Sequence, residues 1–399
     1  MKTLKIILNC IIFMILTLLI SCEKKPEEDT TPEFEPHSLM WSQTFGGSNN
    51  DAAESIQRTM DGGYILVGYT ESYGAGNNDA WLIKTDTEGT EQWGQTFGGS
   101  NDDVTKSVQQ TTDGGYILAG WTKSYGAGND DAWLIKTDAE GTEQWSQTFG
   151  GFDDDWVEFV QQTTDGGYIL AGKTKSYGAG NGDAWLIKTN AMGTEQWSRT
   201  FGSYKNDWVF SVQQTTDGGY ILTGFTYSYG IGGMDAWLIK TDAMGIEQWS
   251  QAFGGSDNDM TKSVQQTTDG GYILAGFTWS YGAGNRDVWL IKTSAEGTEQ
   301  WSQTFGGPDW DMARFVQQTM DGGYILAGYT DSYGAGMESA WLIKTDAEGT
   351  EQWNQTFGGS KTDGLASVQQ TMDGGYILAG KTDSYGANDR DAWLIKVRH

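Results

Sequence analysis

The sequence predicts an all-β protein in which seven similar four-stranded units close into a ring. Three observations support this. The segment Asp-Gly-Gly-Tyr-Ile-Leu recurs every 52 residues without insertion or deletion, starting at Asp61, Asp113, Asp165, Asp217, Asp269, Asp321 and Asp373. No segment of the repeat has a helical period. The two ends of the chain carry complementary parts of one repeat. Together these features favour a seven-bladed β-propeller over a linear solenoid.

The first half of a repeat predicts two strands joined by a tight turn. Residues 107–111 are mostly polar and are expected to line a central channel. Asp113-Gly114 is a dipeptide that favours a hairpin turn. Tyr116–Thr122 is almost wholly apolar, which indicates a strand covered on both faces.

The second half of the repeat predicts the remaining two strands. Residues 132–137 form an apolar third strand, reached through a Gly-rich loop at residues 124–128. Residues 138–141 turn the chain into Glu143–Phe149, where polar and aromatic residues alternate. This alternation indicates an outer strand with one face in water.

The chain ends predict how the ring closes. The first repeated strand, within residues 41–47, is of the outer type, whereas the last repeat stops after its third strand at residues 392–397. We expect these two segments to pair antiparallel and complete the seventh blade, because closure removes the open edges of a linear stack.

The N-terminus predicts export and lipidation. Lys2 and Lys5 precede an apolar run that ends in Leu-Ile-Ser-Cys at Cys22. Residues 1–21 therefore read as a signal peptide. The Leu-Ile-Ser-Cys segment at residues 19–22 resembles the bacterial lipobox, which implies acylation of Cys22. The alternative is an ordinary signal peptide with an incidental Cys. Residues 22–37 read as an acidic, Pro-containing tether, and residues 38–399 as the propeller.

The predicted location is the cell envelope. Acyl chains on Cys22 would anchor the protein to a membrane without spanning it. The acidic residues that follow resemble the surface-export signal of Bacteroidetes-type lipoproteins, which implies an outer-membrane or cell-surface location. Cys10 lies in the predicted signal, and Cys22, the only other cysteine, would be acylated, so the mature chain has no thiol for a disulfide.

The charge limits the class of partner. The formal net charge is -28 at pH 7. A surface of this sign repels phosphate backbones, so nucleic acid is excluded as the principal partner. Divalent cations, cationic partners and neutral polymers remain, and we expect the chain to be a monomer.

The turn before the outer strand carries a family resemblance. Thr-Asp-Ala-Glu-Gly-Thr-Glu-Gln-Trp at residues 137–145 resembles the tryptophan-docking motif of quinoprotein dehydrogenase propellers. The whole repeat looks still more like a family of uncharacterised bacterial and archaeal propeller-repeat proteins. Kelch repeats also carry a Gly pair, but theirs follows the second strand, whereas Gly114-Gly115 precedes it. The resemblance implies a propeller; it implies no quinone site, because the chain lacks a vicinal Cys pair.

Catalytic motifs are scarce. The only histidines are His37 in the tether and His399 at the C-terminus. This excludes a Ser-His-Asp triad and a His-ligated metal within the ring. A glycosidase needs only two carboxylates, but they must lie in unlike environments, and seven near-equal blades offer little such asymmetry. The sequence favours a non-enzymatic role and predicts no catalytic residue.

An aspartate recurs in the loop that enters each repeat. These residues are Asp51, Asp103, Asp155, Asp207, Asp259, Asp311 and Asp363. One interpretation is that they accept backbone N–H bonds in Asx turns. The other is that they bind a hard cation, calcium being the expected one, through oxygen ligands. A second aspartate, Asp131 in the second repeat, recurs in the opposite loop. Ser339 replaces it in the sixth repeat, so an ion there would be missing from that blade.

Five tryptophans do not belong to the repeated core. They are Trp121, Trp156, Trp208, Trp279 and Trp310. Packing of the loops explains them in one interpretation. In the other they stack on sugars or contact a protein, because Trp presents a large ring with a polar N–H and is favoured at interfaces. Their uneven distribution would break the seven-fold symmetry on the side of blades two to six.

These observations predict a lipid-anchored binding or scaffold module for an extracellular glycan or an envelope protein. Weak contacts repeated around a ring gain avidity against a repetitive polymer. The alternative is a polysaccharide-acting glycoside hydrolase, similar to an endoglucanase, on the same propeller. No cofactor is expected apart from calcium.

Overall fold

All regular structure in the described part of the chain is β-strand. The computed structural model describes residues 38–387 and 389–398. They form seven four-stranded antiparallel sheets, so the predicted seven-bladed β-propeller is confirmed. The predicted signal peptide, Cys22 and the tether lie outside the described residues, as do His37 and His399.

Each blade contains an inner, a second, a third and an outer strand. The inner strands are β2 (Asp51–Arg58), β6 (Asp103–Gln110), β10 (Asp155–Gln162), β14 (Asp207–Gln214), β18 (Asp259–Gln266), β22 (Asp311–Gln318) and β26 (Asp363–Gln370). The second strands are β3 (Tyr64–Thr70), β7 (Tyr116–Thr122), β11 (Tyr168–Thr174), β15 (Tyr220–Thr226), β19 (Tyr272–Thr278), β23 (Tyr324–Thr330) and β27 (Tyr376–Thr382).

The third and outer strands complete the sheets. The third strands are β4 (Asp79–Thr85), β8 (Asp131–Thr137), β12 (Asp183–Thr189), β16 (Asp235–Thr241), β20 (Asp287–Thr293), β24 (Ser339–Thr345) and β28 (Asp391–Val397). The outer strands are β1 (Leu39–Phe45), β5 (Glu91–Phe97), β9 (Glu143–Phe149), β13 (Glu195–Phe201), β17 (Glu247–Phe253), β21 (Glu299–Phe305) and β25 (Glu351–Phe357). Blade one is β2–β5, and the others follow in chain order.

The first strand of the chain completes the last blade. The seventh sheet has the order β1-β28-β27-β26. Trp41 lies opposite Lys396, and Phe45 lies opposite Ala392. The backbone N–H of Arg398 also donates to the carbonyl oxygen of Ser38 over 3.1 Å. The predicted closure of the ring is therefore confirmed.

Neighbouring blades share their hydrophobic cores. Between blades two and three, Ile117 and Leu134 pack with Val160 and Trp185 of the next blade. The outer-strand Trp145 contacts Tyr168 across the same junction, with ring centroids 6.0 Å apart. One blade cannot bury both of its apolar faces alone, which explains why the second and third strands are hydrophobic throughout.

A buried lysine of the third strand holds the hairpin turn that joins the inner and second strands of each blade. The Lys188 ammonium lies 2.9 Å from the Asp165 carboxylate and donates to the carbonyl oxygen of Thr189 over 2.8 Å. Burial acts to raise the pKa of Asp165, but hydrogen bonds from Thr163 and Lys188 outweigh it and lower the pKa to about 2. The invariant Lys of the third strand is therefore structural.

A β-bulge interrupts every inner strand at its fourth residue. In β6 the register shifts between Thr105 and Ser107, so Lys106 has no partner on β7. Gly120 of β7 permits this close approach, because a Cβ there would lie 1.9 Å from the carbonyl oxygen of Val104. The prediction that this strand begins at residue 107 was four residues short, because the bulge breaks the alternation of polar and apolar residues.

Candidate functional site

Two loops of each blade meet on one side of the ring, which we call the loop face. One loop joins the second and third strands, and the other enters the next inner strand. The backbone N–H of Asp103 donates to the carbonyl oxygen of Asn78 over 2.8 Å and so joins the loops of adjacent blades. This arrangement repeats around the ring and places both loops beside the entrance of the central channel.

Differences between the near-identical blades concentrate at this entrance. The second residues of the inner strands are Ala52, Val104, Trp156, Trp208, Met260, Met312 and Gly364. Their partners on the second strands are Tyr69, Trp121, Lys173, Phe225, Phe277, Tyr329 and Lys381. The residues that precede the third strands are Asn78, Asp130, Gly182, Met234, Arg286, Glu338 and Arg390.

Two further variable sets border the same entrance. The residues that follow the second strands are Glu71, Lys123, Lys175, Tyr227, Trp279, Asp331 and Asp383. Those that precede the inner strands are Asn50, Asp102, Asp154, Asn206, Asn258, Trp310 and Thr362. We call these five sets the mouth. Because the rest of the repeat is almost constant, the mouth gives each blade its own chemistry.

The mouth has a bulky aromatic arc in blades three to six. Trp156 stacks on Trp208 with ring centroids 5.8 Å apart, and Trp208 stacks on Phe210 at 5.1 Å. A hydrophobic cluster continues this arc through Phe225 and Phe277. Blades seven and one have Gly364 and Ala52 at the positions of the stacked tryptophans, so the mouth is asymmetric, as the sequence predicts.

Trp279 and Trp310 form the exposed end of the aromatic arc. Their ring centroids are 6.5 Å apart, and their exposed fractions are 42% and 49%. The Arg286 guanidinium lies 5.1 Å from the centroid of Trp310 and donates to the Tyr329 hydroxyl over 2.6 Å. This arrangement offers two ring faces and a fixed cation to a ligand.

Trp121 and Trp156 are connected through charged side chains. The Trp156 indole N–H donates to the Asp130 carboxylate over 2.9 Å. Lys123 lies 5.4 Å from the ring centroid of Trp121 and 3.8 Å from Asp130. Burial raises the pKa of Asp130, and Lys123 opposes the shift. The five predicted tryptophans therefore all lie at the mouth, and Trp121, Trp156 and Trp208 are partly buried.

Trp310 does not occupy the repeat position of Trp156 and Trp208. Trp156 and Trp208 are second residues of inner strands, where blade six has Met312. Trp310 lies two residues earlier in the repeat and forms an isolated bridge with Arg286.

Several buried polar atoms at the mouth and in the channel lack a hydrogen-bond partner among the described residues. They are Asn78 Oδ1, Asp130 Oδ1, Trp208 Nε1, Arg286 Nε, Asp331 Oδ1 and Ser367 Oγ. Buried polar atoms are normally satisfied, and each exception calls for a partner such as water or a ligand. Of the nine such atoms among the described residues, these six lie at the mouth or in the channel.

The mouth and channel also hold most of the described lysines and arginines that lie outside the third strands. These cations are Lys106, Lys123, Lys173, Lys175, Lys262, Arg286, Arg314, Lys381 and Arg390. Lys173 lies 4.9 Å from the ring centroid of Trp208, and burial lowers its pKa. In a protein with a net charge of -28, this is a local mixture of both signs.

The seven repeated aspartates are the first residues of the inner strands and are fully buried. The Asp155 carboxylate accepts bonds from the Gly151 N–H at 2.9 Å and from the Ser176 hydroxyl at 2.6 Å. Equivalent bonds hold the other six, so the geometry agrees with the turn interpretation. No group of three or more His, Cys, Asp or Glu in the described residues is arranged to hold a metal. Calcium binding at these residues stays a prediction.

Pairs of buried aspartates face each other at the junctions between blades. A Cβ added to Gly254 would lie 2.5 Å from an Asp235 oxygen and 2.7 Å from an Asp259 oxygen. Burial, which outweighs a backbone hydrogen bond from Ile231, raises the pKa of Asp235 to about 6, and Asp259 adds to the shift. Blade six has Ser339 at the position of Asp235, so a neutral residue is compatible with this site.

Asp235→Asn should stabilise the protein at pH 8 by about 1 to 2 kcal/mol and have little effect at pH 4. The unfolded Asp235 ionises near its ordinary pKa, whereas the folded group stays protonated until about pH 6. The wild type therefore loses stability between these values, and the amide removes that loss. Urea unfolding at both pH values measures the difference; an equal effect at pH 4 and pH 8 would contradict this assignment.

Sequence reasoning missed the side chains at the bulges, which line the channel. They are Glu54, Lys106, Glu158, Phe210, Lys262, Arg314 and Ala366. Burial acts to raise the pKa of Glu54, but Lys106 and Arg314 lower it, and the Lys106 ammonium lies 2.8 Å away. Comparison of the fourth residue across the repeats would have identified this set, because its chemistry changes from blade to blade.

Comparisons with known proteins establish the fold and no activity. No protein-family model matches the chain. The regulatory protein FlaEY of Caulobacter vibrioides is 22% identical over 224 residues, which are 47% of this chain and 23% of FlaEY. This chain therefore spans less than a quarter of the length of that relative.

Solved structures similar to this chain include β-propellers. The WD40 domain of Neurospora crassa Pan2 has a TM-score of 0.53 and 12% identity, covering 86% of this chain and 88% of that one. YCF48 bound to D1 peptide has a TM-score of 0.47 and 10% identity, covering 90% and 97%. A protein of unknown function from Dyadobacter fermentans has a TM-score of 0.46 and 12% identity, covering 90% and 99%.

The fold and the mouth together define a class: a β-propeller with constant blades and one asymmetric, chemically varied entrance to its channel. None of the described residues forms a helix long and apolar enough to cross a membrane.

Proposed function

We propose that the protein is a binding module that holds an extracellular glycan or an envelope protein at the mouth. The observation that carries this proposal is that variation among otherwise similar blades is concentrated at the mouth and in the channel beneath it. A stable scaffold that changes mainly where its loops converge separates structural residues from recognition residues.

The composition of the mouth supports this function. Trp, Tyr and Arg are the residues that most often dominate binding energy at interfaces. The exposed rings of Trp279 and Trp310, with Arg286 beside them, suit the C–H faces and hydroxyl groups of a sugar. They equally suit a protein partner, so the experiment must separate the two.

The double substitution Trp279→Ala and Trp310→Ala should weaken partner binding by at least about tenfold, because it removes both exposed ring faces. Binding is measured on a glycan array and by pull-down from solubilised envelopes. The control is Met60→Ala with Met320→Ala, since these side chains are exposed at 74% and 72% on the hairpin turns of the opposite face. Equal binding by the two double variants would contradict a role for the mouth.

The array and the pull-down also distinguish the kinds of partner. Retention of a glycan without turnover supports a glycan-binding module, and retention of an envelope protein supports a protein scaffold. Turnover of a polysaccharide that a single Asp substitution abolishes would instead favour the glycoside hydrolase alternative. We expect the protein to act as a monomer, which light scattering after gel filtration measures.

The proposal also includes a lipid anchor on Cys22, placing the propeller at the outer membrane or cell surface as a member of the uncharacterised propeller-repeat lipoproteins. The supporting observation is the Leu-Ile-Ser-Cys sequence after an apolar run. The turns before the outer strands keep their resemblance to quinoprotein propellers without a quinone site. Metabolic labelling with palmitate should mark the wild type and not Cys22→Ala; label on both proteins would refute lipidation at Cys22.

A further inference from the structure

The channel beneath the mouth contains a cavity of about 430 Å³. It lies among the bulge residues, so every blade supplies its fourth inner-strand side chain to the wall or its surroundings. This volume falls within the range of about 300 to 1,000 Å³ that small-molecule sites occupy. The cavity can therefore accept a small organic ligand as well as water.

The walls of the cavity combine apolar surface with a few polar groups. Phe159, Phe210 and Phe315 line it together with Met260 and Met312. This composition is typical of small-molecule sites, in which apolar side chains provide most of the contact and a few polar groups set the orientation.

Lys262 is the cation in this cavity that lacks a carboxylate partner. Lys106 pairs with Glu54, and Arg314 lies 3.8 Å from the same carboxylate. Lys262 forms no ion pair among the described residues; its ammonium lies 3.2 Å from the ring centroid of Phe210. A buried charge without a close partner is costly. Burial lowers the pKa of Lys262 to about 7, and the charge of Glu158 in the same wall opposes this shift.

Two more groups in the wall have free hydrogen-bonding capacity. Ser367 is 2% exposed, and its hydroxyl has no partner within the described chain, unlike the equivalent Ser107, which accepts from the Val160 N–H over 3.2 Å. The indole N–H of Trp208 is also unpartnered. Both residues line the same cavity as Lys262, and both can donate to an anionic oxygen.

We propose that the channel cavity binds a small monocarboxylate with an apolar body. The carboxylate pairs with Lys262 and accepts from the Ser367 hydroxyl or the Trp208 N–H, and the apolar body packs on the Phe and Met side chains. When Lys262 is protonated, the net charge of the bulge residues favours an anion, since Lys106, Lys262 and Arg314 then exceed Glu54 and Glu158 by one. This site is separate from the partner surface at the mouth.

Benzoate tests the proposal, with benzyl alcohol as the uncharged compound of similar shape. In isothermal titration calorimetry, wild-type protein should bind benzoate at least about tenfold more tightly than benzyl alcohol, because only benzoate can form a charge-assisted hydrogen bond with Lys262. Benzoate should also raise the melting temperature in a concentration-dependent manner. No binding of benzoate, or equal binding of the two compounds, would overturn the proposal.

Two channel variants and one surface variant locate the site. Lys262→Met should lower benzoate affinity at least tenfold, and Ala366→Leu should do so by filling the cavity without changing its charge. Lys361→Met, on the exposed loop face, should bind benzoate as the wild type does. Phe210 and Ala366 show that neutral side chains are accepted at this position of the repeat. Wild-type affinity in both channel variants would refute the cavity as the site.

Benzoate binding in the channel can be measured separately from partner binding at the mouth. If Lys262→Met loses benzoate but keeps the glycan or envelope protein, the channel site stands apart from the mouth. If Trp279→Ala with Trp310→Ala loses the partner but keeps benzoate, both assignments hold. An NMR titration adds a direct measurement, because a bound carboxylate favours the charged amine and should raise the pKa of Lys262; an unchanged Lys262 pKa with bound benzoate would contradict the pairing.

Discussion

Deleting residues 39–47 should lower the melting temperature by about 10 °C or more, which is the largest effect that the fold predicts. The deletion removes β1, which pairs with β28 along its length and covers the edge of the seventh blade. It also removes buried Phe45 and the packing of Trp41 on the junction with blade one. The loss of this strand opens the ring and exposes a hydrophobic edge.

Differential scanning calorimetry measures this effect, and deletion of residues 23–31 is the matched control. That control shortens the predicted tether by the same length and keeps β1. A synthetic peptide with the sequence of residues 38–47 should restore part of the melting temperature of the truncated protein, because it can pair with β28. An unchanged melt after the β1 deletion would show that the ring does not depend on this strand.

Asp155→Ala should destabilise the protein by about 3 kcal/mol, since it leaves several buried donors without an acceptor. The Gly151 N–H and the Ser176 hydroxyl lose their partner, and the Lys175 N–H, 3.2 Å from the same carboxylate, is also affected. The hydrogen-bond role predicts the same loss in calcium and in a chelator. Chemical unfolding under both conditions provides the measurement.

Asp153→Ala is the control for this substitution, because Asp153 lies in the same loop with its side chain exposed. We expect its effect to stay within about 0.5 kcal/mol. Wild-type protein could instead be more stable in calcium than in a chelator. If Asp155→Ala removes that difference, the aspartates bind calcium as well as accepting hydrogen bonds in the turn. Calorimetric titration with calcium then measures the affinity directly.

The blade was predictable because its local signals agree with one another. Asp113-Gly114 specifies the turn, and the apolar run of Tyr116–Thr122 specifies a strand covered on both faces. The invariant step between repeats then requires every blade to be alike, and the split repeat at the chain ends specifies closure. Tertiary contacts add nothing that contradicts these local preferences.

The channel could not be predicted in the same way, because a bulge leaves no regular pattern in the sequence. Lys106 and Lys262 look like ordinary polar residues of an exposed strand, whereas the bulge directs them into the channel. Pairing of Lys106 with Glu54 joins residues from adjacent blades, and the absence of such a pair for Lys262 depends on which acids face it. These facts follow from the closed ring and not from any one repeat.

The tryptophans of the mouth could be predicted only in part from the sequence. Their departure from the repeat identified them, and the loop face brings all five to the entrance of the channel. Their division into a packed group around Trp208 and an exposed pair, Trp279 and Trp310, required the side-chain contacts. Arg286 was missed because a single arginine in a loop carries no pattern.

Photocrosslinking in intact cells tests most directly whether the mouth is the binding surface. A photoreactive p-benzoylphenylalanine replaces Trp310 at the mouth or Met320 on the opposite face, and adducts are detected after irradiation. If the mouth is the binding surface, position 310 should give an adduct of defined mass and position 320 should give none. Adducts from position 320 alone, or equally from both positions, would contradict it.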